Sequence, residues 1–306
     1  MDFVDFLCFS FGGQIMTNPA RSKDQKKAIW FFILFLGAEL QLFSQGKVTV
    51  VKDSLFSPSV NAYMKFNAVL PANYSVTDER FTTIYLLHGY AGDYNDWVTH
   101  TALVRYAKDY NFIIITPDGK NSWYTNSPEL KNSNYEDYIV KDLIPYVDKK
   151  YKTLNTRHGR AVAGLSMGGY GAIKLALKYP FVFFYAASLS GALQFPKDLE
   201  NVSGDLHESL KSAFGEKKSD HWSRNDVFSL VDSVSNTNMP YLYLAVGKDD
   251  LLPGIIESNR SFIEKLRRKG ALYEYHETPG GHSWVFWDKE IANVLRRFSN
   301  FDALKP

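Results

Sequence analysis

The pentapeptide Gly164-Leu165-Ser166-Met167-Gly168 stands between an apolar, β-rich run, Arg160–Ala163, and an amphipathic run, Gly169–Lys178. A serine set in a tight strand-to-helix turn needs glycine on both sides, because side chains there would strike neighbouring backbone; its hydroxyl is then pushed out above the sheet. The free N–H groups that begin the helix sit at the same place and can stabilise an oxyanion. Ser166 is therefore the expected nucleophile, and its hydroxyl requires a base. Of seven histidines, His158 precedes the elbow strand at its wrong end, His100, His207 and His221 lie in polar surroundings that read as surface, and His276 falls within a strand. His282 follows the flexible turn Pro279-Gly280-Gly281 and precedes the last helical run, which makes it the expected base. A carboxylate that orients the base should follow the preceding strand, where Gly247-Lys248-Asp249-Asp250 offers two. Neighbouring side chains diverge, so one faces the imidazole and the other forms a turn or caps the next helix. Position alone leaves both open.

A tetrahedral oxyanion needs two N–H donors, one from the residue after the nucleophile and one from the loop after an early strand. Met167 supplies the first, and Tyr90, in His88-Gly89-Tyr90-Ala91-Gly92, supplies the second. The His88 side chain is expected to brace that loop. Trp123, Tyr124 and Trp284 are candidate pocket walls, since aromatic faces suit sugar rings or a feruloyl group. No metal or organic cofactor is required by this constellation. The one cysteine, Cys8, can neither close an intramolecular disulfide nor build a multi-thiolate zinc site.

Positioning such residues takes an alternation of strands and helices. Strands are expected at Lys47–Val51, Ala62–Leu70, Thr82–Leu87, Phe112–Thr116, Ala161–Gly164, Tyr185–Leu189, Tyr241–Val246 and Leu272–Thr278. Helices are expected at Asp96–Tyr110, Tyr138–Tyr151, Met167–Tyr179, Pro253–Lys269 and Trp287–Asn300. That order implies an α/β fold: a mostly parallel sheet with helices on both faces, its first two strands pairing as an antiparallel hairpin at one edge. Residues 192–239 break the rhythm with polar, Gly/Pro-punctuated sequence and a short helix near Leu206–Phe214, and are expected to form a small cap beside the site.

The whole chain has 306 residues, 45% apolar, 15% aromatic and 22% charged, which excludes disordered and collagen-like classes. Thirty-five basic against thirty-three acidic residues leave no broad electrostatic footprint for nucleic acid. Arg21, Lys23, Lys26 and Lys27 followed by the apolar run Ala28–Leu36 have the form of a secretory signal, with cleavage expected near Ser44-Gln45. The run is shorter than the roughly 20 apolar residues of a spanning helix. Residues 1–45 are thus read as a leader, with Met16 an alternative start, and 46–306 as one exported domain with no stable membrane span.

Taken together, LLHGYAGDYNDW (86–97), ITPDGKNSWYTNSP (115–128), YEDYIVKDLIPYVDKKY (135–151), RAVAGLSMGGYGAIKLALKYP (160–180), GKDDLL (247–252) and YHETPGGHSW (275–284) resemble the esterase D-type branch of the α/β-hydrolases. That branch includes feruloyl and acetyl-xylan esterases, tributyrin-type carboxylesterases, S-formylglutathione hydrolases and mycolyltransferases. The resemblance implies the α/β-hydrolase fold and a serine carboxylesterase acting on short-chain acyl, acetyl or feruloyl esters, free or linked to polysaccharide. Its Gly-x-x-Asp spacing implies Asp250 as the acid, and it implies Tyr90 and Met167 as oxyanion donors. An acyltransferase using the same triad and an S-formylglutathione hydrolase-like thioesterase are the alternatives; expected export speaks against the latter. A catalytically dead binding module would lack a triad member, and none is lacking.

Overall fold

The computed structural model describes residues 47–195 and 202–302, so the expected leader lies outside the described residues. Eight strands form one sheet in the order β1-β2-β4-β3-β5-β6-β7-β8. β1 (Thr49–Ser57) and β2 (Ala62–Leu70) are the expected edge hairpin, and β2 also runs antiparallel to β4. β3 (Thr82–Leu87), β4 (Phe112–Pro117), β5 (Arg160–Leu165), β6 (Tyr185–Leu189), β7 (Tyr241–Gly247) and β8 (Tyr273–Thr278) are parallel throughout. The central strands read as unbroken apolar runs because both faces are covered. In β3, for example, Ile84 and Leu86 enter one core layer and Tyr85 and Leu87 the other.

One layer is closed by α1 (Asp96–His100), α2 (Leu103–Tyr106) and the C-terminal helix Trp284–Asp302. The other is closed by α3 (Tyr135–Asp137), which runs through a π-helical stretch, Tyr138–Leu143, into α4 (Ile144–Lys150), and by α5 (Met167–Lys178), α6 (Gly204–Phe214), α7 (Asp220–Asn225), α8 (Val227–Ser233) and α9 (Ile255–Lys269). The C-terminal helix is α10. Among the described residues no helix is long and apolar enough to cross a membrane.

Three expectations are corrected. The single helix expected over Asp96–Tyr110 is broken at Thr101, whose backbone is extended. Thr101 Oγ1 turns back to the Trp97 carbonyl, and the Ala102 N–H donates to Asp288 of α10 at 2.7 Å. A local side-chain bond and a distant carboxylate thus compete successfully with the helix ladder. The helix expected from Tyr138 begins at Tyr135 and widens just before Pro145, which has no N–H to continue the ladder. Among the described residues of 192–239 there are three α-helices and a 3-10 turn, Asn236–Asn238, rather than one helix; α8 starts where Asp226 accepts from the Phe228 and Ser229 N–H groups.

A buried ion cluster ties α5 to the loop that follows β4. Lys174, fully buried, donates to the Tyr124 carbonyl, to Thr125 Oγ1 at 3.2 Å and to Glu136 at 2.7 Å. Lys178 and the Tyr179 hydroxyl also reach Glu136, at 2.8 and 2.7 Å. Burial alone would raise the Glu136 carboxyl, but Lys174 and Lys178 hold it down at about 2. Burial pushes Lys174 the other way, down to about 8. Removing one partner of such a group strands the other charge in the core.

Because the folded carboxyl lies below its unfolded value of about 4.3, Glu136 contributes stability above that pH and loses it as pH falls toward about 2. Glu136→Gln should cost about 3 kcal/mol at pH 7. In urea unfolding from pH 7 to pH 2.5, the gap between the variant and the parent protein should close below about pH 4; a constant gap would refute this account.

Candidate active site

The loops that leave β3, β5, β7 and β8 all emerge at the carboxyl edge of the parallel strands, where α/β sheets place their sites. Register brings them level: Leu87 lies opposite Gly164, and Gly247 opposite Thr278. Ser166 follows β5 directly, with φ 52° and ψ −116°, a conformation strained for any residue with a side chain. Three backbone bonds hold it there. Its N–H donates to Leu189 O at 2.9 Å, and its carbonyl accepts from Tyr170 and Ala192 at 3.0 and 3.2 Å. A Cβ on Gly164 would lie 2.3 Å from Gly168 O, and one on Gly168 would lie 2.4 and 2.5 Å from the carbonyl oxygens of Leu87 and His88. Only glycine allows the turn to press this close against the β3 loop.

Three expected residues come together. Ser166 Oγ is 3.0 Å from His282 Nε2, and His282 Nδ1 is 2.8 Å from Asp250 Oδ2. Asp250 is buried, and its other oxygen accepts the Leu252 N–H at 3.0 Å. Both bonds orient the carboxylate. Asp249, the alternative left open by position, faces away and accepts the Gly280 N–H at 3.1 Å, while its own N–H donates to Gly280 O at 2.9 Å. It ties the β7 loop to the turn that carries His282.

The Tyr90 and Met167 N–H groups have no acceptor among the described residues. His88 is fully buried and braces the Tyr90 loop as expected. Its Nδ1–H donates to Gly89 O at 2.7 Å, and its Nε2 accepts the Gly119 N–H at 2.8 Å. These two bonds assign the neutral tautomer with hydrogen on Nδ1. Asp118, 3.8 Å from His88 Nε2, would be raised by burial, yet its carboxyl is held down to about 2. With Nε2 already accepting a proton, Lys120 at 2.7 Å is the group that holds it.

The site opens into a cleft of about 660 Å³. Trp284 and Trp123 line it, the latter through a mostly buried ring whose Nε1–H donates to Ser209 of α6 at 3.0 Å. Phe195, Val202 and Leu206, from the 192–239 segment, line it too. Tyr124 is a correction: it is fully buried behind the cleft, and its hydroxyl donates to His88 O at 3.0 Å. Trp123 and Tyr124 both have positive φ, near 56° and 52°, so the loop reverses between them and sends adjacent rings to different places. Trp287, Asp96 and His100 are among the lining residues that escaped the sequence reading. Trp287 packs edge-on against the His282 ring at 4.9 Å; Asp96 and His100 reach the cleft from α1. The helical spacing from Trp284 to Trp287 was a signal for the first, whereas nothing local marked His100, read as surface. Asp96 has its pKa raised, chiefly by burial. Among the described residues no group of three His, Cys, Asp or Glu side chains is placed to hold a metal ion.

A family model described as a putative esterase matches residues 57–298. An acetyl esterase of Caldicellulosiruptor saccharolyticus is 34% identical over 232 residues, covering 73% of this chain and 85% of its own. Among solved structures, FphF, a fluorophosphonate-binding serine hydrolase of Staphylococcus aureus with substrate bound, superposes with a TM-score of 0.74 at 27% identity, covering 83% of this chain and 99% of that one. The S-formylglutathione hydrolase FrmB of the same organism gives 0.71 at 25% identity, with 83% and 99% covered.

The Tyr124 hydroxyl is the buried partner of His88 O. Tyr124→Phe should therefore lower unfolding stability by about 1–2 kcal/mol, seen as a lower urea midpoint at unchanged slope. An unshifted midpoint would mean that the bond carries nothing.

Proposed function

This chain belongs to the putative esterase family and is a carboxylesterase-type α/β-hydrolase, and on that premise we propose that it cleaves carboxylic esters through a covalent acyl-serine at Ser166. The observation that carries the reading is the unbroken chain from Asp250 through His282 to Ser166, at 2.8 and 3.0 Å. As Ser166 Oγ attacks the ester carbonyl, His282 Nε2 takes its proton, and Asp250 stabilises the resulting imidazolium. Negative charge on the carbonyl oxygen falls to the N–H groups of Tyr90 and Met167, which are preorganised and cost no rearrangement. When the tetrahedral adduct collapses, the bond to the alcohol oxygen breaks and His282 passes the proton to it. Water then attacks the acyl-serine, giving its proton to His282, and the acid leaves as Ser166 is reprotonated. No step calls for a metal or organic cofactor.

Short acyl groups, acetyl first, are the proposed class, with feruloyl esters and polysaccharide-linked acetyl groups as further members. Apolar cap residues and Trp123 beside Ser166 support an acyl group of modest size on that wall. Export belongs to the same proposal, supported by the basic cluster at residues 21–27 and the apolar run Ala28–Leu36.

Ser166→Ala should lower kcat on nitrophenyl acetate by about a thousandfold or more, with the thermal midpoint nearly unchanged. Activity within about tenfold of the parent protein would refute the acyl-serine. A panel of nitrophenyl esters of increasing chain length, with acetylated xylan and methyl ferulate alongside, ranks the acyl classes. Adding sugar acceptors to the same assay separates transfer from hydrolysis.

A further inference from the structure

The cleft has two walls, and chemistry distinguishes them. His282 must hand its proton to the departing alcohol, so that alcohol lies on the His282 side of Ser166 and the acyl group on the other. On the His282 side a series of rings runs outward. Trp287 stands edge-on to His282 at 4.9 Å, Trp284 edge-on to Trp287 at 5.3 Å, and His100 lies along Trp284 at 4.9 Å with 31° between the planes. Trp97, from the core, meets Trp284 edge-on at 5.7 Å. Asp96 is four residues before His100 on α1 and so shares its face, and both line the cleft. The Asp96 carboxylate also lies against Gly92, at the end of the loop that holds Tyr90.

Asp96 stands out for its charge. Among the described residues, no lysine or arginine lines the cleft, and Asp96 is the one carboxylate that does. Its hydrogen-bonding contact is with backbone at Asp93, and the basic groups that act on it, His88 and His100, do so only by electrostatic attraction, with no lysine or arginine among them. A carboxylate partly withdrawn from water, without a cationic partner and beside the leaving-group path, is an acceptor kept for a donor that arrives with substrate.

We propose, resting on the ester-hydrolase reading above, that Asp96, His100 and Trp284 form the subsite for the departing alcohol, and that Asp96 selects a neutral, polyhydroxylated alcohol over an anionic one. A hydroxyl next to the ester oxygen donates to Asp96, while the C–H face of a sugar or polyol packs on the Trp284 surface that His100 extends. An alcohol or thiol bearing carboxylates meets a like charge here, with no lysine or arginine among the described lining residues to offset it. Glutathione, with two carboxylates, is the kind of leaving group this wall rejects.

The test holds the acyl group constant and varies the alcohol: glycerol monoacetate, ethyl acetate and acetoxyacetate, whose leaving alcohol is anionic. Asp96→Ala should lower the ratio of kcat/KM for glycerol monoacetate over ethyl acetate by about tenfold. Asp96→Asn, nearly the same shape and still an acceptor, should lower it less. Both variants should raise kcat/KM for acetoxyacetate several-fold relative to ethyl acetate, because both remove the charge. Ratios within about twofold of the parent protein in both variants would overturn the subsite while leaving the acyl-serine reading intact. Parent protein inert toward all three esters and toward nitrophenyl acetate would overturn that reading, and the subsite with it.

Discussion

The site depends on the close approach of the turn after β5 to the loop after β3. Gly168 sits where any side-chain carbon would fall 2.4–2.5 Å from the Leu87 and His88 carbonyl oxygens. That contact sets the start of α5 against the loop that carries Tyr90, and Ser166 stands between them at positive φ, its Oγ 3.0 Å from His282 Nε2. Everything else in the site is arranged around this pinch. A strained residue persists only where its surroundings over-determine it, and here three backbone hydrogen bonds to Ser166 do so.

Support for the pinch comes from behind the cleft, through groups that never meet a substrate. His88 spans Gly89 O and Gly119 N–H, the Tyr124 hydroxyl caps His88 O, and Lys174 reaches the Tyr124 carbonyl from α5. Glu136 then ties Lys174 and Lys178 to the start of α3. This buried polar chain joins the helix that begins after Ser166 to the loop facing it, so both flanks of the proposed oxyanion position are referred to one framework. Such a network rigidifies only when every member has its partner. The pair of residues Trp123 and Tyr124 shows the division of labour, with one ring on the cleft and the other inside the network.

How far the chain could be read without coordinates follows the range of the forces involved. Central strands such as Thr82–Leu87 and Tyr185–Leu189 were legible to the residue, because burial on both faces leaves a buried, largely apolar run bounded by turn residues. The helix over Asp96–Tyr110 was not, because its break depends on Asp288, nearly two hundred residues away. The helices of the 192–239 segment were under-read for a similar reason: α7 and α8 are short, and α8 owes its apolar face to packing on α5 and α9, and α7 to packing on α6 and α8, rather than to a long period.

Local sequence by itself determined the parallel α/β order, the glycine-flanked serine turn and the histidine in its flexible loop, since each depends on steric rules acting over a few residues. Position along the chain left Asp249 and Asp250 open and the resemblance pointed to Asp250, which the structure places 2.8 Å from His282; tertiary structure alone decided that Tyr124 turns inward and that Asp96 and His100 of α1 reach the same cleft as Trp284 of α10. Those outcomes depend on strand register and on helices meeting across the sheet edge, and no spacing along the chain encodes the direction of a side chain toward a partner that distant.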